Sequence, residues 1–459
     1  MLPNNLVDSD RRHLIHPVAA YRAHEARGAT VLTSAKGMYV TDFEGKELLD
    51  AFAGLWCVNI GYGQESVVAA ATEQMRRLPY ATGYFSFASE PAIRLAERLA
   101  DLSPPGLDRV YFTLGGSDAV DSAIRFIVHY FNAVGRPAKK HMIALDKGYH
   151  GSSSNGAGLT GLPAFHRQFD VPHRWQHHIP APYPYRSPVG DDPQDVIDLS
   201  VAQLRAKVEE LGAENVAAFF AEPVQGSAGV IVPPRGWLKA MRDTCTELDI
   251  LLVVDEVITG FGRTGPLFAC ETEGVTPDLM TVAKGLTAGY APMGAVLMTE
   301  AVYAGIADGS DNNLPIGHGY TYSGHPVSAA VGLEVLSLYL QGGILANGQA
   351  RGAQLATGLC PLADHPLVGD IRTAGMLAGI ELVSDKTGKT RFEPLLDISG
   401  KLSAAAYAQG LIFRAFPDGT IGLAPALSCS ETDMEILLDR LRATLDDVLD
   451  DPAVRSTLA

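Results

Sequence analysis

Two periods of apolar and polar residues take turns along this chain. The runs Val216–Phe220 and Ile250–Val254 are apolar without interruption, and Leu279–Ala283 is broken only by Thr281, as in strands buried on both faces of a parallel sheet. Between and before them, apolar residues recur three and four apart. Val201, Leu204, Val208 and Leu211 share one face of a helix expected over about 197–211, and Ala119, Ala123, Ile124, Ile127 and Val128 lie on another that runs to about Asn132. Helices are also predicted over about 64–78, 90–102 and 326–341. Ser103-Pro104-Pro105-Gly106 ends the second of these. Strands are predicted over Arg109–Thr113 and His141–Leu145, and a hairpin across Met38–Asp50 that turns at Glu44-Gly45.

Strand and helix alternate to about residue 335, the pattern of a doubly wound α/β sheet. Residues 1–35 are polar and are expected to wrap the surface or a partner. The stretch from Gly148 to Pro188, rich in Gly, Ser, Pro, His and Tyr, is expected to be a long irregular excursion over the site. After the helix near 326–341 the elements shorten, as in Gly379–Val383 and Leu411–Arg414. This predicts a smaller domain built from both chain ends.

Bulk properties narrow the setting. A chain of 459 residues with 47% hydrophobic and 8% aromatic content buries a large core, and two domains are expected. The formal net charge of −16 argues against nucleic acid or an anionic membrane as partner. The cysteines at 57, 245, 270, 360 and 429 are odd in number, with no CxxC, which fits reduced thiols rather than a disulfide framework or zinc site. Residues 1–30 lack the apolar core of a signal peptide and no run reaches membrane-spanning length, so a cytoplasmic protein is expected.

The chemistry gathers where the apolar runs end. One closes on Asp255, one on Lys284, and Val216–Phe220 leads into Glu222. Ligands of open α/β sheets bind at such carboxyl-terminal edges. A single charge there is ordinarily a cap or half of an ion pair, but three together favour a site. Pyridoxal phosphate (PLP) needs a lysine for its Schiff base and an acid facing its ring nitrogen, and Lys284 and Asp255 supply both. Thr113–Ser117 (TLGGS), glycine-rich before a helix, has the form of a phosphate cradle, though Ser117 as a plain helix cap would use the same residues. Tyr149, in Lys147–Gly151 (KGYHG), offers an aromatic face for a flat ring, although a tyrosine in such a turn more often simply packs. Gly156–Gly161 (GAGLTG) matches a dinucleotide fingerprint in the wrong context, with serines where a strand should precede it and Leu162-Pro163 where a helix should begin. A nicotinamide dehydrogenase would rest on that match alone. His173, His177 and His178 lack metal-ligand spacing and are expected to be solvated. No metal site is expected, and no serine elbow is present.

With these residues in view, the chain resembles the class III aminotransferases of PLP fold type I over nearly its whole length. The most specific stretches are Val254–Gly265 (VDEVITGFGRTG), Thr281–Leu286 (TVAKGL) and His318–Pro326 (HGYTYSGHP). The resemblance implies an α/β fold: a large PLP-binding domain over 66–335 with a mostly parallel seven-stranded sheet, plus a small α+β domain from both chain ends, 1–65 and 336–459. It implies that Lys284 binds the cofactor and shuttles the proton, and that Asp255 keeps the pyridine nitrogen protonated. Val257 and Tyr149 would sandwich the ring. Gly115, Gly116 and Ser117 would hold the phosphate with Thr321 of a second subunit, and Glu222 would support the surrounding hydrogen bonds. A site completed across an interface implies a homodimer, with a tetramer left open.

Departures from relatives narrow the substrate. Ornithine- and GABA-type members carry an arginine just before the Ala-Pro of Ile421–Pro425 (IGLAP), where this chain has Gly422. The glutamate that partners it falls in Gln225–Gly229 (QGSAG), where this chain has Ser227. Arg414, in Leu411–Phe416 (LIFRAF), fits the mobile arginine of the ω-amino acid or amine:pyruvate branch, able to pair bidentately with a carboxylate. A salt bridge elsewhere is the ordinary alternative. Trp56, Leu55 and one of Tyr84 or Phe85 would form apolar walls. Gly-Gly-Ser-Asp at 115–118 replaces the commoner Ser-Gly-Ser-Glu, and Lys147 stands where relatives often have asparagine. The resulting expectation is a ping-pong ω-transaminase that moves an amino group from an ω-amino acid or primary amine to a keto acid, pyruvate first among them, through pyridoxamine phosphate. A decarboxylase or aminomutase of the same fold is the alternative, as is a non-enzymatic PLP-binding regulator, though residues 1–35 are too short for a DNA-binding module.

Overall fold

Three β-sheets organise the chain, and their strand order decides which distant residues meet. The computed structural model describes residues 3–309 and 315–458. Strands β1 (Leu32–Lys36), β2 (Tyr39–Asp42) and β3 (Glu47–Asp50) form an antiparallel meander. The β2–β3 turn falls at the expected Gly45, whose φ of +85° suits glycine, and the Asp42 carboxylate accepts the N–H groups of Glu44 and Lys46, each at 2.9 Å.

The central sheet contains β4 (Arg109–Thr113), β5 (His141–Leu145), β6 (Gln176–Ile179), β7 (Val216–Ala221), β8 (Leu251–Asp255), β9 (Leu279–Val282) and β10 (Gly294–Met298). Their spatial order is β4-β10-β9-β8-β7-β5-β6; β10 pairs antiparallel with β4 and β9, and the other pairs are parallel. This is the mostly parallel seven-stranded sheet that the resemblance implies. The apolar runs form its middle: Phe219, Phe220, Leu252, Val253, Val254 and Met280 are fully buried. Burial of each such side chain contributes about 1.5–3 kcal/mol, which is why these three strands show so plainly in the sequence.

The third sheet is antiparallel, in the order β11 (Val368–Ala374), β12 (Leu377–Leu382), β15 (Thr420–Leu423), β14 (Arg414–Ala415). The remaining strand, β13 (Leu411–Ile412), leaves that sheet and pairs in parallel with β3, Leu411 opposite Leu49. Both chain ends therefore share one sheet.

Helices occupy Glu65–Arg77, Glu90–Leu102, Gly116–Ala133, Pro193–Leu211 and Pro326–Leu340, close to the bounds the periodicity predicts. The fourth begins earlier than its apolar face because Pro193 suits a first helical position and Asp192 caps it through the N–H groups of Gln194 and Asp195. No single described helix is long and apolar enough to cross a membrane.

One stretch differs from expectation. Residues 148–188 are not wholly irregular: Ser154–Leu159 is a short helix, and β6 adds the outer strand of the central sheet beside β5. Its sequence, Gln176-His177-His178-Ile179, hides it, because an edge strand tolerates polar side chains. The histidines there are correspondingly not simply solvated. His177 Nε2 lies 2.7 Å from His141 Nδ1, His178 Nε2 donates to the Leu159 carbonyl at 3.0 Å, and His173 stacks on Trp175. Gly158, within the rejected GAGLTG, abuts Gln176.

Candidate active site

The carboxyl ends of β7, β8 and β9 stand side by side, because those strands are parallel neighbours. Asp255, the last residue of β8, pairs with Thr281 of β9, three residues before Lys284. Asp255 is buried. Its Oδ1 accepts the Val257 N–H at 3.1 Å and its Oδ2 accepts a hydrogen bond from His150 Nδ1 at 2.9 Å. His150 is also buried. Burial alone would push its pKa down, but the hydrogen bond and charge of Asp255 outweigh that and hold it above its usual value. Its other ring nitrogen, Nε2, is buried and unpartnered.

Lys284 has φ +38°, a conformation uncommon for a lysine, and its side chain makes no hydrogen bond or ion pair with a described residue. Burial pushes its amine down to about 8, against the pull of Asp255. An amine so depressed is a usable nucleophile near neutral pH. Glu222, one residue beyond β7, accepts the Tyr149 N–H at 2.8 Å and the Gly226 N–H at 3.2 Å. Burial, reinforced by the nearby Asp255 charge, raises its carboxyl to about 7.

Residues 115–117 form the start of the Gly116–Ala133 helix, whose free N–H groups and dipole favour an anion. Gly116 is required by close approach: a Cβ there would come within 2.9 Å of Val257 Cγ1. Ser117 Oγ accepts the Ser152 N–H at 3.3 Å, which ties the cradle to the segment after Tyr149. Tyr149 packs edge-on against Phe165, ring centroids 5.3 Å apart. A carboxylate, a depressed lysine amine, an apolar valine and an aromatic face, beside an anion-binding helix end, together fit a flat phosphorylated pyridine aldehyde. The unpartnered buried nitrogens His150 Nε2 and Trp56 Nε1 border the same region.

Aromatic rings gather beside Lys284. Lys284 Nζ lies 5.4 Å from the centre of the Trp56 ring. Trp56 meets Phe52 edge-on at 4.5 Å and stacks on Phe416 at 6.3 Å, and the Arg414 guanidinium lies 5.4 Å over Phe416. Val224, Val230 and Ile258 complete this apolar cluster. The alternative of a salt bridge for Arg414 does not hold among the described residues, none of which supplies it a carboxylate. Leu55, Tyr84 and Phe85, expected as further walls, are 57%, 40% and 86% exposed. Within one chain these side chains lie open to solvent. Tyr84 packs instead against Gly319, in the same loop as Thr321, whose side chain is exposed and whose hydroxyl makes no hydrogen bond with a described residue.

Two participants escape sequence reasoning. His150 belongs to the KGYHG stretch, but nothing local marks it as the partner of a carboxylate 105 residues away. Arg263, in the family-like VDEVITGFGRTG stretch, is fully buried, donates to the Pro425 carbonyl and to Asn59 Oδ1, each at 2.5 Å, and joins three distant segments behind the lysine.

Comparison with known proteins agrees with this geometry. The model of the aminotransferase class-III family matches residues 20–445. The putrescine–pyruvate aminotransferase of Pseudomonas aeruginosa is 42% identical, over 95% of this chain and 94% of that protein. The diaminobutyrate–2-oxoglutarate transaminase of Halomonas elongata is 38% identical over 97% of both. Among solved structures, an (S)-enantioselective omega-transaminase from Thermomicrobium roseum superposes with a TM-score of 0.95 at 40% identity, covering 98% of this chain and all of that one. An omega transaminase from Pseudomonas jessenii in complex with PMP superposes at 0.94 with 36% identity, over 97% of this chain and 98% of that one. Strand ends that present Asp255 and Lys284 to one space, a helix end ready for a phosphate and a family match across nearly the full length lead to one conclusion: the chain belongs to the class III aminotransferases, enzymes that work with pyridoxal phosphate.

Proposed function

We propose that this transaminase takes its amino group from an ω-amino acid or primary amine and passes it to a keto acid, with pyruvate as acceptor, in a ping-pong exchange. The observation that carries the reading is Arg414, a cation without an acid partner among the described residues, at the far end of the aromatic series that starts at Lys284. A guanidinium so positioned pairs with a keto acid's carboxylate, while the rings beneath it suit an uncharged substituent. Gly422 and Ser227 leave no arginine–glutamate pair of the kind that handles 2-oxoglutarate. The similarity to a putrescine–pyruvate aminotransferase supports the same assignment.

When bound, the cofactor supplies an aldehyde that exchanges for the amino group and a ring that takes up the electron pair of the broken C–H bond. Lys284 would hold that aldehyde carbon, and its amine would move a proton between the substrate carbon and it. Its depressed pKa leaves enough free amine for this near pH 8. Asp255 would hold a proton on the ring nitrogen, and His150 steadies the Asp255 carboxylate. Val257 and Tyr149 would bracket the ring, Glu222 fixes the backbone of Tyr149, and Gly115, Gly116 and Ser117 would donate to the phosphate.

We assign the phosphate a further ligand, Thr321 of the partner subunit, in a homodimer. The exposed Leu55, Tyr84, Phe85 and Tyr322 support this, since so many bared apolar side chains suit a covered face that would also complete the substrate pocket. Five unpaired cysteines fit a reduced, cytoplasmic setting.

The test is a half-reaction screen on cofactor-loaded protein. β-Alanine, taurine, putrescine, 6-aminohexanoate and 1-phenylethylamine are each added, and the visible band of the lysine-bound cofactor is followed. At least one bleaches it, and pyruvate restores it. Restoration by 2-oxoglutarate but not pyruvate, or release of CO₂ without need of a keto acid, would refute the reading.

A further inference from the structure

The Phe416 ring owes its position to a missing side chain. Strand β14 pairs with β15 so that Arg414 stands opposite Gly422. A Cβ at 422 would lie 2.8 Å from Phe416 Cε2 and 3.4 Å from its Cζ, the first well inside the ~3.5 Å at which carbon atoms rest against each other. The ring can shift only at the expense of its neighbours. Trp56 is stacked on it and is itself wedged by Phe52, while the Phe416 backbone is tied across the turn, its N–H to the Thr420 carbonyl at 2.8 Å and its carbonyl to the Gly419 N–H at 3.0 Å. Phe416 is only 4% exposed. Above it, Arg414 has no acid partner among the described residues and rests on the ring face.

We propose that Gly422 is a specificity-determining residue. By leaving space for Phe416 it fixes the ring that is both the apolar wall for an amine's uncharged group and the platform on which Arg414 waits for a carboxylate. The absence of a side chain at 422 does more than omit an arginine: it creates dual recognition within one pocket. This rests on the amine and keto acid reading above.

The direction of change follows from the packing. A methyl group at 422 pushes the Phe416 ring away from β15, toward Trp56 and into the space for the substrate's apolar group. Bulky amines then suffer more than β-alanine, which has no such group. The platform of Arg414 moves as well, so carboxylates bind less tightly. The collision needs both partners, so a smaller side chain at 416 relieves it, and the two substitutions are non-additive.

The experiment uses cofactor-loaded enzyme. Gly422→Ala, Phe416→Leu and the double variant are compared with wild type in the ratio of kcat/KM for 1-phenylethylamine to that for β-alanine. The binding of propionate, a carboxylate that cannot react, is measured by calorimetry. Gly422→Ala lowers the ratio at least tenfold and weakens propionate several-fold, and the double variant recovers most of the ratio. Phe416→Leu alone weakens propionate several-fold without lowering the ratio, and it decides the matter if Gly422→Ala does not fold with cofactor bound. The inference is overturned if Gly422→Ala changes both quantities less than twofold, if the two substitutions multiply independently, or if Phe416→Leu leaves propionate binding intact. Wild-type enzyme that turns over neither amine with pyruvate refutes the substrate reading instead.

Discussion

His150→Phe isolates the contact that steadies Asp255. In the wild type, Asp255 is buried with two hydrogen-bond donors, Val257 N at 3.1 Å and His150 Nδ1 at 2.9 Å, and the imidazole is held above its usual pKa by the carboxylate. Phenylalanine fills a similar volume but removes the donor and its charge, leaving a buried carboxylate with one backbone N–H. Removing one partner of a buried pair costs about 3–5 kcal/mol. An unfolding entropy of ~2.1 cal/mol/K per residue gives about 1 kcal/mol/K for a chain of 459 residues, so the melting temperature of the cofactor-free protein falls by about 4 °C. The loss depends on pH. A histidine with a raised folded pKa contributes stability that is fully present below ~6.5 and is lost as pH rises through the folded value. Differential scanning calorimetry of wild type and variant at pH 6 and pH 9 therefore gives the larger gap at pH 6. His150→Asn, which keeps an N–H donor but no titratable charge, falls between, with a gap that varies less with pH. Equal melting temperatures at pH 6, or a larger gap at pH 9, would show that the His150–Asp255 contact does not carry this stability.

Three further outcomes follow from the same site. Because burial depresses the Lys284 amine to about 8, capture of added pyridoxal phosphate by cofactor-free protein speeds up with pH to about 8 and then levels off, as stopped-flow absorbance would show; Lys284→Ala gives no visible band and loses turnover. Gly116→Ala brings a methyl group within 2.9 Å of Val257 Cγ1; overpacking of this kind costs about 1–3 kcal/mol, so cofactor affinity, read by spectroscopic titration, falls about 5- to 150-fold. Glu222, raised to about 7 from an ordinary 4.5, favours folding while protonated, so its contribution is present below 4.5 and lost as pH climbs through 7. That amounts to about 3 kcal/mol, and Glu222→Gln removes this slope in urea unfolding between pH 5 and pH 8.

How much of this was legible beforehand follows from the range over which each cause acts. Strands β7, β8 and β9 show in the sequence because burial on both faces requires apolar side chains at consecutive positions. Their charged ends, Asp255 and Lys284, stand out against those runs for the same reason. The TLGGS turn shows because a helix start has a local chemistry of its own. Strand β6 was hidden, since an edge strand whose histidines find partners on β5 and in the Gly148–Pro188 stretch need not be apolar.

What only the folded chain decided lies between segments far apart in sequence. His150 reaches Asp255 because β5 and β8 both flank β7, an order no local pattern records. Trp56 meets Phe416, and Gly422 makes room for it, because β13 returns to pair with β3 and carries the following hairpin over the site. Local periodicity reports which face of an element avoids water, and that is enough to name the strands and the two charges at their tips. It says nothing about which faces meet, because that depends on the packing of the whole chain at once. The partners of Asp255 and the shape of the substrate pocket belong to that second kind of information.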